Sequence, residues 1–202
     1  MEDHENAASI RIVPANQATW DDVQQIFGHR GEPAGCQCQR YKLGWHVRHE
    51  MDRDELRFRL RDQTECGHPD APDSSGIVAF VDGEPAGWCA IEPRPNYPYL
   101  TRTVWAGRKE DPADERVWSV TCFVVRAGFR RRGITYELAK AAVDFAGSRG
   151  AKALEAYPII THPDQEITWG DLHVGAVKVF TAAGFREVRH PTKRRYIMRI
   201  DF

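Results

Sequence analysis

Arg126, Arg130, Arg131 and Arg132, with Gly133 directly behind them, are the residues of this chain whose types and spacing point most directly to chemistry. They follow a mostly apolar, strand-like run, Val117–Val125, and precede a stretch with helical periodicity. The first turn of a helix presents unpaired N–H groups and a partial positive charge, so guanidiniums placed there are adverse. A bound anion reverses that balance, because N–H groups, dipole and arginines then converge on it. The pattern predicts a site for a phosphate-bearing ligand.

That cluster is local. The 202 residues carry 28 Lys and Arg against 29 Asp and Glu, a net charge of −1. Nucleic-acid binders carry a basic excess, so the balance favours a small anionic ligand over nucleic acid. A chain of this length, 42% hydrophobic and 28% charged, reads as one globular domain over 1–202. No apolar run approaches the ~18 residues of a membrane span. Met1-Glu-Asp-His-Glu-Asn lacks a signal-peptide core, so a cytoplasmic protein without a membrane partner is expected. The five cysteines therefore suggest no disulfide framework. Cys36-Gln-Cys38 and Cys66-Gly-His68 offer zinc-type atoms, but zinc sites use Cys-x2-Cys, so no metal is expected. Small buried or loop thiols are the reading.

The elements that must position the arginines follow from periodicity. Ser9–Pro14 alternates as a strand, and Asn16 is placed to cap a helix through Trp20, Val23 and Ile26. Residues 28–50 read as loop, Asp52–Leu60 as a helix and His68–Ser75 as surface loop. Gly76–Val81, Asp82-Gly83 and Glu84–Ile91 spell a hairpin. Asp111–Glu115 reads as a solvated turn, and the scarcity of polar residues in 117–125 suggests a strand buried on both faces. Helix 133–147 places Ile134, Leu138, Ala141, Ala142 and Phe145 on one stripe. Lys152–Tyr157 is a strand parallel to the previous one, Pro158–Gly170 a long loop fit for a site, and Leu172–Ala183 a last helix. Phe185–Arg189 and Arg195–Ile200 form a closing antiparallel pair.

Neither the P-loop string nor Gly-x-Gly-x-x-Gly is present. Arg130-Arg-Arg-Gly133-Ile-Thr135, following Phe123-Val-Val125, resembles the Gln/Arg-x-x-Gly-x-Gly/Ala acyl-CoA signature of the GNAT superfamily of N-acetyltransferases. His173-x-x-Ala176-x-x-x-Phe180-x-x-x-Gly184-Phe185 resembles that family's Asn-x-x-Ala-x-x-x-Tyr-x-x-x-Gly-Phe segment. The element order agrees over 9–28 and from about 76 to the end. Thr135 stands for the motif's last small residue, Phe180 for its Tyr, and His173 for its Asn.

The resemblance implies an α/β (α+β) fold: a mixed, mostly antiparallel twisted sheet flanked by helices and splayed between the strands at 117–125 and 152–157. It implies acceptor-side elements over about 16–70 and an acetyl-CoA-binding core over about 76–202. Acetyl-CoA is the implied cofactor, held by Phe123, Val124, Val125, Arg130, Arg131, Arg132, Gly133, Ile134, Thr135 and Phe180. A backbone N–H near Val124–Val125 would hold the thioester carbonyl. The implied reaction is direct attack by an amine, expected on a small molecule; a homodimer is left open.

An attacking amine must lose a proton. The central strand has no Asp or Glu, so Glu155 and His173 are the catalytic candidates, each with a plainer alternative, a strand-end surface charge and a helix cap. Cys122 reads as buried filler. The stretch 36–48, with Tyr41 and Trp45, reads either as an acceptor-pocket wall or as a loop packed on the sheet. Trp169, Asp164, Glu166 and Asp171 make a second candidate wall, whose acids would favour a cationic amine. Two other functions remain open: a non-catalytic acyl-CoA sensor, and acetylation of a protein or peptide.

Overall fold

In the computed structural model the described residues are 9–100, 108–162 and 167–202. Strand β1 (Ile10–Pro14) is followed by helices α1 (Trp20–Phe27), α2 (Gly31–Cys36), α3 (Trp45–Glu50) and α4 (Arg53–Thr64). Then come β2 (Ile77–Val81), β3 (Glu84–Pro93), β4 (Val117–Val125), α5 (Ile134–Ser148) and β5 (Ala153–Ala156). Helices α6 (Trp169–Leu172) and α7 (Val177–Ala182) precede β6 (Arg186–Thr192) and β7 (Arg195–Asp201). The strands form one sheet in the order β1-β2-β3-β4-β5-β7-β6, antiparallel except for the parallel β4–β5 pair. This is the mixed, mostly antiparallel sheet that the resemblance implied.

Helices cover both faces of β4, which is why its sequence is mostly apolar, with only Ser119 and Thr121 polar. On one face the α5 stripe (Ile134, Leu138, Ala142, Phe145) packs with Val120 and Phe123. On the other, Val23, Ile26 and Phe27 of α1 and Leu60 of α4 pack on Trp88, Cys122 and Val124. The hairpin turn is as its sequence dictates: Asp82 (φ 50°) and Gly83 (φ 85°) both take left-handed backbone.

Three boundaries differ from the sequence reading. The α1 cap is Thr19, which forms a reciprocal capping box with Asp22. Asn16 instead sends its amide to the carbonyls of His68, Pro69 and Ala71, pinning the loop before β2. Residues 28–50 are not bare loop, since α2, a 3-10 turn (Gln39–Tyr41) and α3 occupy them. The expected helix 172–183 is split into α6 and α7 at Gly175 (φ 82°), a backbone conformation that ends an α-helix.

Gly76, at the entry to β2, has φ 83°, and an added Cβ would lie 2.3 Å from the Trp88 ring and 2.8 Å from the Cys89 carbonyl oxygen. Gly76→Ala therefore combines left-handed strain with overpacking in a closed core and should cost roughly 2–5 kcal/mol. Urea denaturation checks this; a loss within ~0.5 kcal/mol, the range of an ordinary surface change, would refute it.

Candidate active site

The site is built on the C-terminal end of β4. Strand β5 pairs with β4 only from Val117↔Ala153 to Val120↔Ala156, and β4 then runs on to Val125 without it. Among the described residues, the amide of Phe123 finds its acceptor on that open edge in the carbonyl of His173, at 2.6 Å. The N–H of Val125, two residues on, points to the same edge by strand alternation. Facing β3, Cys122 pairs with Ala90 and Val120 with Ile91, so Thr121 is an extra residue on β4. The bulge re-aims the strand, and Thr121 and Cys122 both face a small enclosed cavity on the α1 side.

Beyond β4 the chain makes a 3-10 turn (Ala127–Phe129) and enters α5. Arg131 has φ 62°, and Gly133 caps the helix at φ 77° without a side-chain hydrogen bond. An added Cβ at Gly133 would meet no protein atom within 4 Å, so the backbone conformation is the intramolecular reason for glycine. Arg126 is engaged by Glu84 at 3.3 Å. Among the described residues, no carboxylate pairs with Arg130, Arg131 or Arg132, all three of them exposed. A groove of about 290 Å³ starts at this turn and runs along the open edge, past Phe123, Val125, Thr135 and Val179. Uncapped N–H groups, exposed guanidiniums and an apolar channel together suit a ligand with phosphates at one end and a slender arm at the other.

A second groove, of about 390 Å³, lies across the strand tip on the α1–α2 side and shares Val125 and Arg130 with the first. Below it, the enclosed cavity reaches His173. His173 is 3% exposed; its Nδ1 is 2.8 Å from the Gly170 carbonyl oxygen and its Nε2 is 3.4 Å from the Tyr41 hydroxyl. A carbonyl only accepts, so Nδ1 carries the hydrogen and Nε2 keeps its lone pair. Burial, joined by the charges of Arg40 and Arg195, pushes the imidazole pKa down to about 4. The ring is therefore neutral at pH 7.

A sequence profile of the Acetyltransferase (GNAT) family matches residues 40–169, more than half of the chain. The chain belongs to the GNAT acetyltransferase family. No curated protein matches it. Among solved structures it is similar to a GCN5-related N-acetyltransferase from Kribbella flavida, at 20% identity over 96% of this chain and 98% of that one, with a TM-score of 0.54. An N-acetyltransferase from Staphylococcus aureus Mu50 shares 13% identity over 96% and 98% of the two chains, with a TM-score of 0.52. A putative acetyltransferase from Salmonella typhimurium, solved with its cofactor acetyl-CoA, shares 15% over 97% and 94%, with a TM-score of 0.50. At such identities the likeness is one of fold.

Within this GNAT sheet the residues expected from sequence fall into distinct places. Phe123, Val125, Arg130, Arg131, Gly133, Ile134 and Thr135 line the first groove, and Val124 faces the other side of the strand. Arg132 lies against the Phe129 ring, 5.3 Å from its centroid. Phe180 is fully buried and forms no part of the groove wall; it supports Phe123 from behind at a ring distance of 5.7 Å. Glu155 is no surface charge. It is wholly buried in the paired part of the sheet, opposite Ser119, and accepts from Arg108 (2.5 Å), Arg199 (2.9 Å), Arg94 (3.5 Å) and the Tyr157 hydroxyl (2.9 Å). Burial alone would raise its pKa; Arg108 and Arg94 more than offset that and hold it below the usual carboxylate value. Asp171 is occupied by Arg194 at 3.1 Å, while Asp164, Glu166 and the Trp169 side chain lie outside the description.

The 36–48 stretch is in part folded against the sheet and in part exposed. Cys36, Cys38, Arg40 and Tyr41 line the enclosed cavity, Lys42 pairs with Glu92, and Trp45 stays 63% exposed. Cys66 and His68 border a different depression, and among the described residues no three His, Cys, Asp or Glu are placed to hold a metal ion. No helix there is long and apolar enough to cross a membrane. Sequence reasoning missed the Tyr41–His173 pair and the Thr121 bulge. The pair spans 132 positions, and no local signal carries it.

Two consequences are measurable. Glu155→Gln removes the buried anion and leaves Arg94, Arg108 and Arg199 only the more exposed Glu110 and Asp201, and should cost roughly 3–5 kcal/mol in urea denaturation; below ~1 kcal/mol the cluster is not a buried pair. His173 titrates near 6.5 when unfolded and near 4 when folded, so its contribution is whole above pH 6.5 and is lost as pH falls toward 4. The loss is on the order of 3 kcal/mol across that window. Stability against pH in the native protein and in His173→Gln should show this slope only in the former.

Proposed function

We propose that this protein is an acetyltransferase moving an acetyl group from acetyl-CoA to the amine of a small-molecule acceptor. GNAT membership supports acetyl transfer from acetyl-CoA in general. The observation that carries the finer reading is the meeting of two grooves at the tip of β4. One is headed by the uncapped, arginine-rich end of α5; the other lies over the enclosed cavity that the neutral, oriented imidazole of His173 lines. We further infer one domain over 1–202, with acceptor-side elements at about 16–70 and the acetyl-CoA-binding core at about 76–202.

Acetyl-CoA supplies an activated thioester whose thiolate is a fair leaving group near neutral pH. Arg130, Arg131 and Arg132 with the N–H groups of Gly133, Ile134 and Thr135 would receive its phosphates, and the Thr135 hydroxyl adds a donor where a side chain replaces hydrogen or methyl. Phe123 and Val125 wall the arm, and the Val125 N–H is aimed where a thioester carbonyl would need a donor.

On the acceptor side, the surroundings that keep His173 neutral also disfavour a second cation, so a bound amine is held uncharged with its lone pair available. His173 Nε2, which takes a hydrogen bond from Tyr41 in this structure, is the acceptor for the amine proton as the new C–N bond forms. This replaces the expectation of a site for a cationic amine. Glu155, enclosed by guanidiniums, serves the sheet and not proton transfer. Phe180 has no proton to give, so the leaving thiolate takes one from solvent.

That absence of a phenol favours one other reading, a non-catalytic acyl-CoA sensor. Thiol release measured over a panel of amines separates the two: the enzyme gives acceptor-dependent release, the sensor binds without it. His173→Ala should lower kcat by about tenfold or more. Gly133→Leu, kept folded by circular dichroism, should lose CoA binding, and unchanged affinity would sink the phosphate assignment.

A further inference from the structure

We propose that Cys38 and Cys122 form a reversible disulfide that closes the acceptor cavity. Cys36, Cys38 and Cys122 line that cavity together with His173 and Tyr41, although Cys122 comes from the β4 bulge and the other two from the end of α2. All are free thiols. The cavity offers only about 10 Å³, about what one water needs, so an acceptor reaches His173 only if the segment carrying Cys38 moves off β4, and a bond from Cys38 to Cys122 would prevent that.

The segment that carries Cys38 is built to hold it there. Gln37 (φ 44°) and Cys38 (φ 55°) are consecutive non-glycine residues in left-handed backbone, a conformation kept only where the surroundings enforce it. Two fully buried glutamines do the enforcing. Gln37 accepts from Gln24 at 3.0 Å and donates to the Ala34 carbonyl at 3.2 Å; Gln39 donates to the Gln37 carbonyl at 3.0 Å and to Gln63 at 2.9 Å. The turn brings Cys38 under Trp88, whose indole N–H donates to its sulfur at 3.1 Å.

That geometry divides the labour between the thiols. Cys38 is half-buried where Cys36 and Cys122 are buried, so Cys38 meets the oxidant first. Cys38 is the neighbour that acts most on the Cys122 thiol, and contact with it together with burial pushes that thiol well up and keeps it protonated. Cys66 is turned away, donating to Thr64, and Cys89 belongs to the core on the opposite face.

The oxidant is a hydroperoxide such as hydrogen peroxide. The Cys38 thiolate attacks one peroxide oxygen, the O–O bond breaks, and the departing hydroxide leaves as water with the thiol's proton. The Cys122 thiol then attacks the sulfenic sulfur as its proton passes to the sulfenic oxygen; the S–S bond forms, the S–O bond breaks, and the second water leaves. Two thiols and one peroxide become one disulfide and two waters.

The link itself does not depend on acetyl transfer, whereas its inhibitory effect rests on the function proposed above. The full-length protein is treated with hydrogen peroxide, its remaining thiols are alkylated, and peptides are mapped without reduction. A Cys38–Cys122 peptide should appear, revert with a dithiol, persist in Cys36→Ser and vanish in Cys38→Ser. A Cys36–Cys38 link, or complete reduction of all thiols, would overturn the proposal. In the linked protein CoA should still bind with unchanged affinity, while acceptor-dependent thiol release falls by about tenfold or more. Full release from linked protein would overturn the closure. If the reduced protein releases no thiol with any amine, the acetyl-transfer reading fails, and the peptide map still decides the link.

Discussion

The parting of β4 from β5 after Val120 is the constraint on which the rest of the structure depends. Strand β5 stops at Ala156, and Pro158 just beyond has no N–H for a ladder. The last residues of β4 are thereby left as a sheet edge inside the molecule, and buried N–H groups must find acceptors. His173 supplies a carbonyl for Phe123, which fixes the 172–176 turn against the strand. Ile159 bridges to Ala176 from the other side. The same residue whose backbone closes the split thus has its imidazole placed beside the strand tip.

The split has a pinned end as well as an open one. Glu92, Ser119, Glu155 and Arg199 lie opposite one another across β3, β4, β5 and β7. Ser119 and Tyr157 share a hydrogen bond of 2.8 Å, and Glu155 gathers the guanidiniums of Arg94, Arg108 and Arg199. A carboxylate there is costly to bury and is kept only because every side of it meets a donor. The arrangement holds the strands together up to the point where they diverge.

Charge is distributed accordingly. Among the described residues, Arg130, Arg131 and Arg132 at the start of α5 have no carboxylate partner and face solvent, which suits an incoming polyanion. Those around Glu155 are neutralised and buried. Between them His173 is kept uncharged by burial, with Arg40 and Arg195 adding to the effect. Three positive regions thus have three different consequences, set by exposure and by whether an anion is built in.

The sequence by itself determined whatever local physics decides. The Asp82-Gly83 hairpin, the double-sided burial of 117–125, the α5 stripe and the arginines ahead of Gly133 all follow from turn chemistry, periodicity and helix-end electrostatics over a few residues. The Gly133 signature and the His173–Phe185 segment were enough to point to the family. Only the tertiary structure decided that Glu155 is an enclosed anion, because Arg94, Arg108 and Arg199 come from three separate segments. It alone joined Tyr41 to His173, hid Phe180 behind Phe123, broke the last helix at Gly175, and brought Cys38 and Cys122 to one cavity. These are contacts between residues dozens of positions apart, and a side chain's burial and charge state depend on neighbours that sequence spacing does not encode.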